Sequence, residues 1–228
     1  MTTQLCNQSL NKFYYLLILA LMGNAAKAYR IETERLVIRC YKPADAPLLK
    51  LAIDASLAEL IQWMPWAKNE PETVEQKTQR LRHFRAMFDL DQDYNYGIFN
   101  KTETELIGST GLHTRVGADA REIGYWINSK HTGKGYAQEA AAALTKTGFE
   151  IDGLERIEIH CDPKNYKSSK IPAALGYQHE ATLRNRLKNA EGQPRDKMIW
   201  TLFKADYEQS RLKQLTIKVF NESDIQSL

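Results

Sequence analysis

The residues with the most chemical potential lie in one run, Thr132-Gly133-Lys134-Gly135-Tyr136-Ala137. Glycines spaced by a single residue bend the chain tightly and leave its backbone amides uncovered. Ala140, Ala141, Ala142, Ala143, Leu144 and Phe149 follow among Glu139, Lys146 and Glu150, which predicts a helix beginning just beyond the glycines. The first N–H groups of a helix have no partner inside it, and its dipole favours an anion there, so the run can cradle a phosphate. A plain tight connection is the structural alternative. Upstream, Ile123, Tyr125 and Ile127 alternate with Glu122, Gly124 and Trp126, the pattern of a strand with two distinct faces.

Other elements must hold that unit in place. Glu34 to Tyr41 alternates as a strand, and Pro43 with Asp45 opens a helix running to about Ala55. Trp63-Met64-Pro65-Trp66 interrupts the helical region, either as packed loop or as the wall of a binding site. Glu72 to Asp89 reads as an amphipathic helix with Val74, Leu81, Phe84 and Phe88 on its buried stripe. Strands are expected at Tyr94–Phe99, Ile107–Thr114, Arg121–Ile127, Arg156–Cys161, His179–Leu187 and Lys197–Lys204, with a short helix from Asn165 to about Ala174 stopped by Gly176. Hairpins and crossovers both occur, so the class is α/β with a mixed sheet.

At 228 residues the chain can fill one well-packed core, and a single domain is expected. Its 31 basic and 28 acidic residues are interleaved and leave a net charge of +3, which argues against a nucleic-acid partner. Cys6, Cys40 and Cys161 are far apart, with no CxxC pair and no histidine at ligand spacing, which indicates a reduced compartment and no metal site. The apolar run at residues 13–22, preceded by Lys12 and followed by Ala26-Lys27-Ala28, imitates a signal peptide but is too short to span a bilayer. Export or tethering through residues 13–28, a start nearer Met22, and an extension docked on the body all fit it. The chain therefore divides into an N-terminal extension at 1–28, a domain at 29–207 and a polar tail at 208–228.

The glycine run resembles motif A of the GNAT N-acetyltransferases: glutamine or arginine, two residues, Gly, one residue, then Gly or Ala. Gly135 and Ala137 fill the last two fixed positions, and Thr132 departs at the first. Asn165-Tyr166-Lys167-Ser168, ending in Leu175-Gly176-Tyr177, resembles motif B of the same superfamily. With Thr33-Glu34-Arg35-Leu36, Arg121 to Trp126 and the Arg195-Asp196 pair, the likeness covers roughly residues 29–207 and is greatest to the ribosomal-protein alanine N-acetyltransferase branch.

That resemblance implies a centrally splayed sheet of about seven strands flanked by helices, and acetyl-CoA as co-substrate. It implies pantetheine lying against the main chain of Tyr125, Trp126, Ile127 and Asn128, where a backbone N–H of Tyr125 or Trp126 would polarise the thioester carbonyl. Gly133 to Ala137, with Lys134, would hold the pyrophosphate, and Asn165 would bond the pantetheine amides or simply cap its helix. Ser168 is the candidate for stabilising the thiolate, with helix capping as its alternative, and Pro172 stands where many relatives carry a tyrosine. Glu122 is the candidate base, directly or through water, because desolvation would raise its pKa. An ion pair, for instance with Arg115, is the competing reading. Cys161 reads as a buried small hydrophobe, and His113 as a surface or core histidine or the edge of the acceptor site.

The implied activity is direct acetyl transfer to a primary amine, either a protein N-terminus or a small molecule, in the cytoplasm. A non-catalytic acyl-CoA-binding module is the reading from another class. Homodimerisation is compatible with the sequence but not specified by it.

Overall fold

A computed structural model describes residues 27–189 and 191–228. The signal-like run at 13–22 and Cys6 lie outside the described residues. Nine strands form one sheet: β1 (Arg30–Glu32), β2 (Leu36–Cys40), β3 (Tyr94–Asn100), β4 (Leu106–His113), β5 (Ala120–Ile127), β6 (Arg156–Cys161), β7 (Gln178–Lys188), β8 (Pro194–Phe203) and β9 (Lys218–Phe220). Their order is β7-β8-β6-β5-β4-β3-β2-β1-β9. Among the described strands only β5 and β6 pair in parallel. Their crossover carries α4 (Tyr136–Glu150), because parallel neighbours need a connection long enough to return over the sheet.

The remaining helices are α1 (Ala46–Asp54), α2 (Leu57–Trp63), α3 (Val74–Asp89), α5 (Tyr166–Ala174) and α6 (Lys204–Glu208). Alternation along the strands sorts their side chains into two cores. Ile38, Ile107 and Ile123 pack with the alanines and Leu144 of α4, whereas Val37, Phe99 and Leu106 pack with Leu49, Leu60 and Leu81 of α1, α2 and α3. The small side chains of α4 suit a helix buried along most of its length, from Ala140 to Phe149. Among the described residues no helix is long and apolar enough to cross a membrane.

The mixed, helix-flanked sheet is the architecture expected, with two strands more than the seven read from sequence. Both additions, β1 and β9, are three-residue strands at one end of the sheet, too short for a period of two to register. β9 comes from the segment read as a polar tail. It pairs with β1 through Ile31 and Val219, both fully buried, so part of 208–228 belongs to the sheet.

β4 and β5 approach so closely at Gly108 that a Cβ there would lie 2.2 Å from the Trp126 carbonyl oxygen. Gly108→Ala should therefore destabilise the protein by about 1–3 kcal/mol, read as a lower urea midpoint. An unchanged midpoint would mean that β4 can move away from β5 at no cost.

Candidate active site

The glycine turn follows β5 by way of one 3-10 turn, Ser129–His131. Gly133 and Gly135 have φ of +76° and +82°, a left-handed conformation that only glycine adopts without strain. A Cβ on Gly133 would meet nothing within 4 Å, and α4 starts at Tyr136 with no side chain capping it. Its first amides are thus neither covered nor claimed by a side chain. Thr132 is turned away, its hydroxyl donating to the Ser129 carbonyl at 3.1 Å, so the departing position points no polar atom at the turn. The turn is fixed from behind by Arg35. Arg35 Nε donates to Glu139 Oε2 at 2.6 Å, its Nη1 to the Lys134 carbonyl at 3.0 Å, and its guanidinium sits 4.6 Å from the centre of the Tyr136 ring. Thr33 Oγ1 adds a 2.6 Å hydrogen bond to Glu139, tying the β1–β2 connection to the first turn of α4.

The second feature is a notch between β5 and β6. Their pairing runs from Ala120 opposite Arg156 to Ile123 opposite Ile159, and stops there. Beyond it β5 stays with β4 as far as Ile127, and β6 stays with β8 as far as Cys161. The edge of β5 from Gly124 onward is thereby freed from β6 and leads to the glycine turn.

Ser168 and Tyr125 meet beside this notch. Tyr125 Oη donates to the Ser168 carbonyl at 3.1 Å, and Ser168 Oγ lies 3.3 Å from the same phenol oxygen. That carbonyl is available because Pro172, four residues on, has no N–H to give it. The phenol's pKa is raised by burial, so it is a proton donor rather than an anion. Asn165 takes the capping role: its Oδ1 accepts from the Ser168 N–H at 3.2 Å. The Ser168 hydroxyl is therefore not a cap. Cys161 is buried, its pKa pushed up to about 11 by desolvation, which suits a small hydrophobe and not a nucleophile.

Glu122 takes the ion-pair reading, and its pKa moves opposite to the direction expected of desolvation. Both its oxygens accept from Arg115, at 2.6 and 2.8 Å, and Oε2 lies 3.0 Å from His160 Nδ1. Desolvation does push the carboxyl up, but hydrogen bonds and charge from His160 and Arg115 outweigh it, and the pKa falls to about 2. The reason is the register: Glu122 faces Glu158 across the parallel pair, and His160 Nε2 sits 2.6 Å from Glu158 as well. Sequence reasoning missed His160 because parallel pairing of β5 with β6, and not spacing along the chain, brings it to Glu122.

Residues 35–178 match the acetyltransferase (GNAT) domain. The chain belongs to the GNAT acetyltransferase family. It is 29% identical over 175 residues to the uncharacterized N-acetyltransferase YoaA of Bacillus subtilis, covering 76% of this chain and 96% of that one. With the ribosomal protein uS5 alanine N-acetyltransferase of Escherichia coli it shares 28% identity over 185 residues, 80% of this chain and 94% of the relative. A solved ribosomal-protein-S5-alanine acetyltransferase from Vibrio fischeri superposes with a TM-score of 0.68 at 25% identity, over 78% of this chain and 98% of that one.

In this GNAT acetyltransferase the notch opens into a cleft of about 750 Å³. Trp63, Met64, Pro65 and Trp66 form one wall, and Trp66 leans on Trp126 of β5 with ring centres 6.2 Å apart. Trp126 thus points into the cleft, while Tyr125 and Ile127 point into the core beneath α4. Arg195 of β8 ties the far wall to α2 by donating to the Gln62 carbonyl at 2.8 Å. His113 lines the same cleft.

Two outcomes follow from this geometry. Gly133→Ala should raise the Kd for CoA by roughly 5- to 30-fold, the cost of forcing an L-residue into that turn, measured by calorimetry. Full retention of affinity would remove the turn from the binding site. Glu122 has a depressed pKa, so it adds stability above pH 4.5 that disappears as pH falls towards 2. Glu122→Gln should remove on the order of 3 kcal/mol at neutral pH and flatten the acid limb of stability, read by urea unfolding across pH. Parallel curves for the two proteins would show that the ion pair adds nothing.

Proposed function

We propose that this acetyltransferase moves the acetyl group of acetyl-CoA to the N-terminal α-amine of a protein, of the ribosomal-protein type, by direct attack with both substrates bound. The observation carrying the reading is the parting of β5 from β6 after Ile123, in line with an open glycine turn. For the acceptor class, the support is the likeness to the uS5 alanine N-acetyltransferase over four fifths of the chain.

The residues present fit acetyl-CoA. The main chain of Gly133 to Ala137, with Lys134, would hold the pyrophosphate. The freed main-chain groups of Tyr125 and Ile127 and the amide of Asn165 would hold the pantetheine arm, while Trp126 and Asn128 are held to β4. When bound, acetyl-CoA supplies an activated thioester. The backbone N–H of Tyr125, which faces away from β4, would stabilise negative charge on the carbonyl oxygen, a contribution of about 3–4 kcal/mol for such donors. Ser168, backed by the Tyr125 phenol, would give hydrogen-bond or proton support to the departing sulfur. Pro172 costs the site the usual tyrosine on α5, and Tyr125 brings a phenol within 3.3 Å of the Ser168 hydroxyl from the strand side. The acceptor would enter along the Trp63–Trp66 wall, and its need for acetyl-CoA puts the enzyme in the cytoplasm. Glu122 is not the direct base in this reading, because a carboxyl with a pKa of about 2 holds a proton poorly at neutral pH. It fixes Arg115 and His160 instead.

The test is CoA release from acetyl-CoA with alanine-starting ribosomal-protein peptides and, in parallel, a set of small amines. Turnover confined to peptides is the expected result, and turnover confined to small amines would overturn the acceptor assignment. Ser168→Ala should lower kcat roughly 100-fold without changing the Kd for CoA. An unchanged kcat would remove Ser168 from the chemistry.

A further inference from the structure

His113 ends β4 directly across from Glu122 of β5. Directly opposed residues share a face, so His113, Gly111 and Ser109 line up with Glu122, Gly124 and Trp126 along the cleft side of the sheet. The imidazole lies over the Gly111–Gly124 pair. A Cβ on Gly111 would sit 2.7 Å from ring atoms Cε1 and Nε2, and one on Gly124 3.3 Å from Nε2. Both glycines therefore make room for the ring, and at Gly124 that room lies where β5 leaves β6.

One end of the ring is anchored. Nδ1 lies 3.1 and 3.0 Å from the two oxygens of Asp93, which also accept from Asn95 Nδ2 at 3.0 Å and from the Thr114 N–H at 3.4 Å. An ionised carboxylate only accepts, so in the neutral imidazole the proton resides on Nδ1 and the lone pair on Nε2. Burial would raise the Asp93 pKa, but the bond to His113 and the other donors bring it below the ordinary value, keeping it ionised. The carboxylates Glu122 and Asp162, which also line the cleft, are engaged by Arg115 and Arg195. The charged and titratable groups around the ring are Asp93 ahead of β3, Arg115 just past β4, Glu122 on β5, and Arg80, His160 and Lys197 further along the cleft.

We infer that His113, oriented by Asp93, is the base that deprotonates the acceptor ammonium, a catalytic assignment resting on the N-acetyltransferase reading above. Nε2 takes one proton from R–NH3+. The freed lone pair forms the C–N bond, the C–S bond breaks, and the sulfur leaves with a second proton from the amine. His113 then returns its proton to water, so the sum is amide, thiol and one released proton.

The experiment compares wild type with His113→Gln, His113→Ala and Asp93→Asn, using the peptide or amine that wild type turns over fastest. His113→Gln should lower kcat roughly 100- to 1000-fold at pH 7 with the Kd for CoA unchanged, the deficit shrinking as pH rises and the amine loses its proton unaided. Added imidazole should restore part of the His113→Ala rate. Asp93→Asn keeps the ring but removes the anion that favours its charged form, so it should move the acid limb of kcat/KM to lower pH. That variant decides the matter if the His113 variants fail to fold. An unaltered pH profile in His113→Gln, or an equal loss at every pH without imidazole rescue, would overturn the assignment. If wild type turns over no acceptor at all, the acetyltransferase reading falls first and the base falls with it.

Discussion

A β-strand can satisfy two neighbours only while both lie at hydrogen-bonding distance, and β5 keeps both only at Glu122 and Ile123. It pairs with β6 along Ala120 to Ile123 and with β4 along Glu122 to Ile127, so from Gly124 onward it follows β4 alone. The divergence is enforced from both sides, because β6 is held by β8 through Cys161 and β5 by β4 through Ile127. Every functional feature sits at this fork. The freed edge leads to the glycine turn, the phenol and hydroxyl of Tyr125 and Ser168 stand beside it, and the cleft opens above it. Backbone amides that would be costly to leave unpaired in a closed sheet become a recognition surface here.

Charge at the fork is divided by register. Glu122 and Glu158 oppose one another on adjacent strands, an arrangement that would repel if both were bare. Arg115 and Arg156 each take one carboxylate, and His160 stands within hydrogen-bond distance of both. This network lies where the strands separate, and it engages both oxygens of Glu122. Proton chemistry then falls to side chains that keep a free polar atom towards the cleft. The strand-end position of His113, over paired glycines, is the place on that face where an imidazole fits.

The fold was largely legible, for a physical reason: long strands with a period of two and an alanine-rich helix after paired glycines are local patterns, and they were read close to their bounds. β1 and β9 escaped because three residues cannot display a period. In the site, the glycine turn and Ser168 could be found because each lies in a contiguous motif. The Glu122 ion pair with Arg115 was open as an alternative, but its depressed pKa was not legible, since it depends on His160, 38 positions downstream and adjacent only through parallel pairing. Asp93 and His113 are 20 positions apart and meet because β3 and β4 form a hairpin whose open end brings them together.

The Pro172 position shows how a departure from a family pattern can be absorbed by its surroundings. In a regular helix the Ser168 carbonyl would accept from the amide four residues later and would have one lone pair left for a neighbour. Proline withholds that amide, and the vacated carbonyl is met by the hydroxyl of Tyr125 reaching across from β5. The phenol is thereby pinned within 3.3 Å of the Ser168 hydroxyl, on the core side of the fork and opposite the face that carries His113. Since Tyr125 and His113 project from opposite faces of one sheet, a donor and an acceptor of protons are kept apart by the strand itself. Reactants lying at the freed edge of β5 would have access to both, which a closed sheet could not provide.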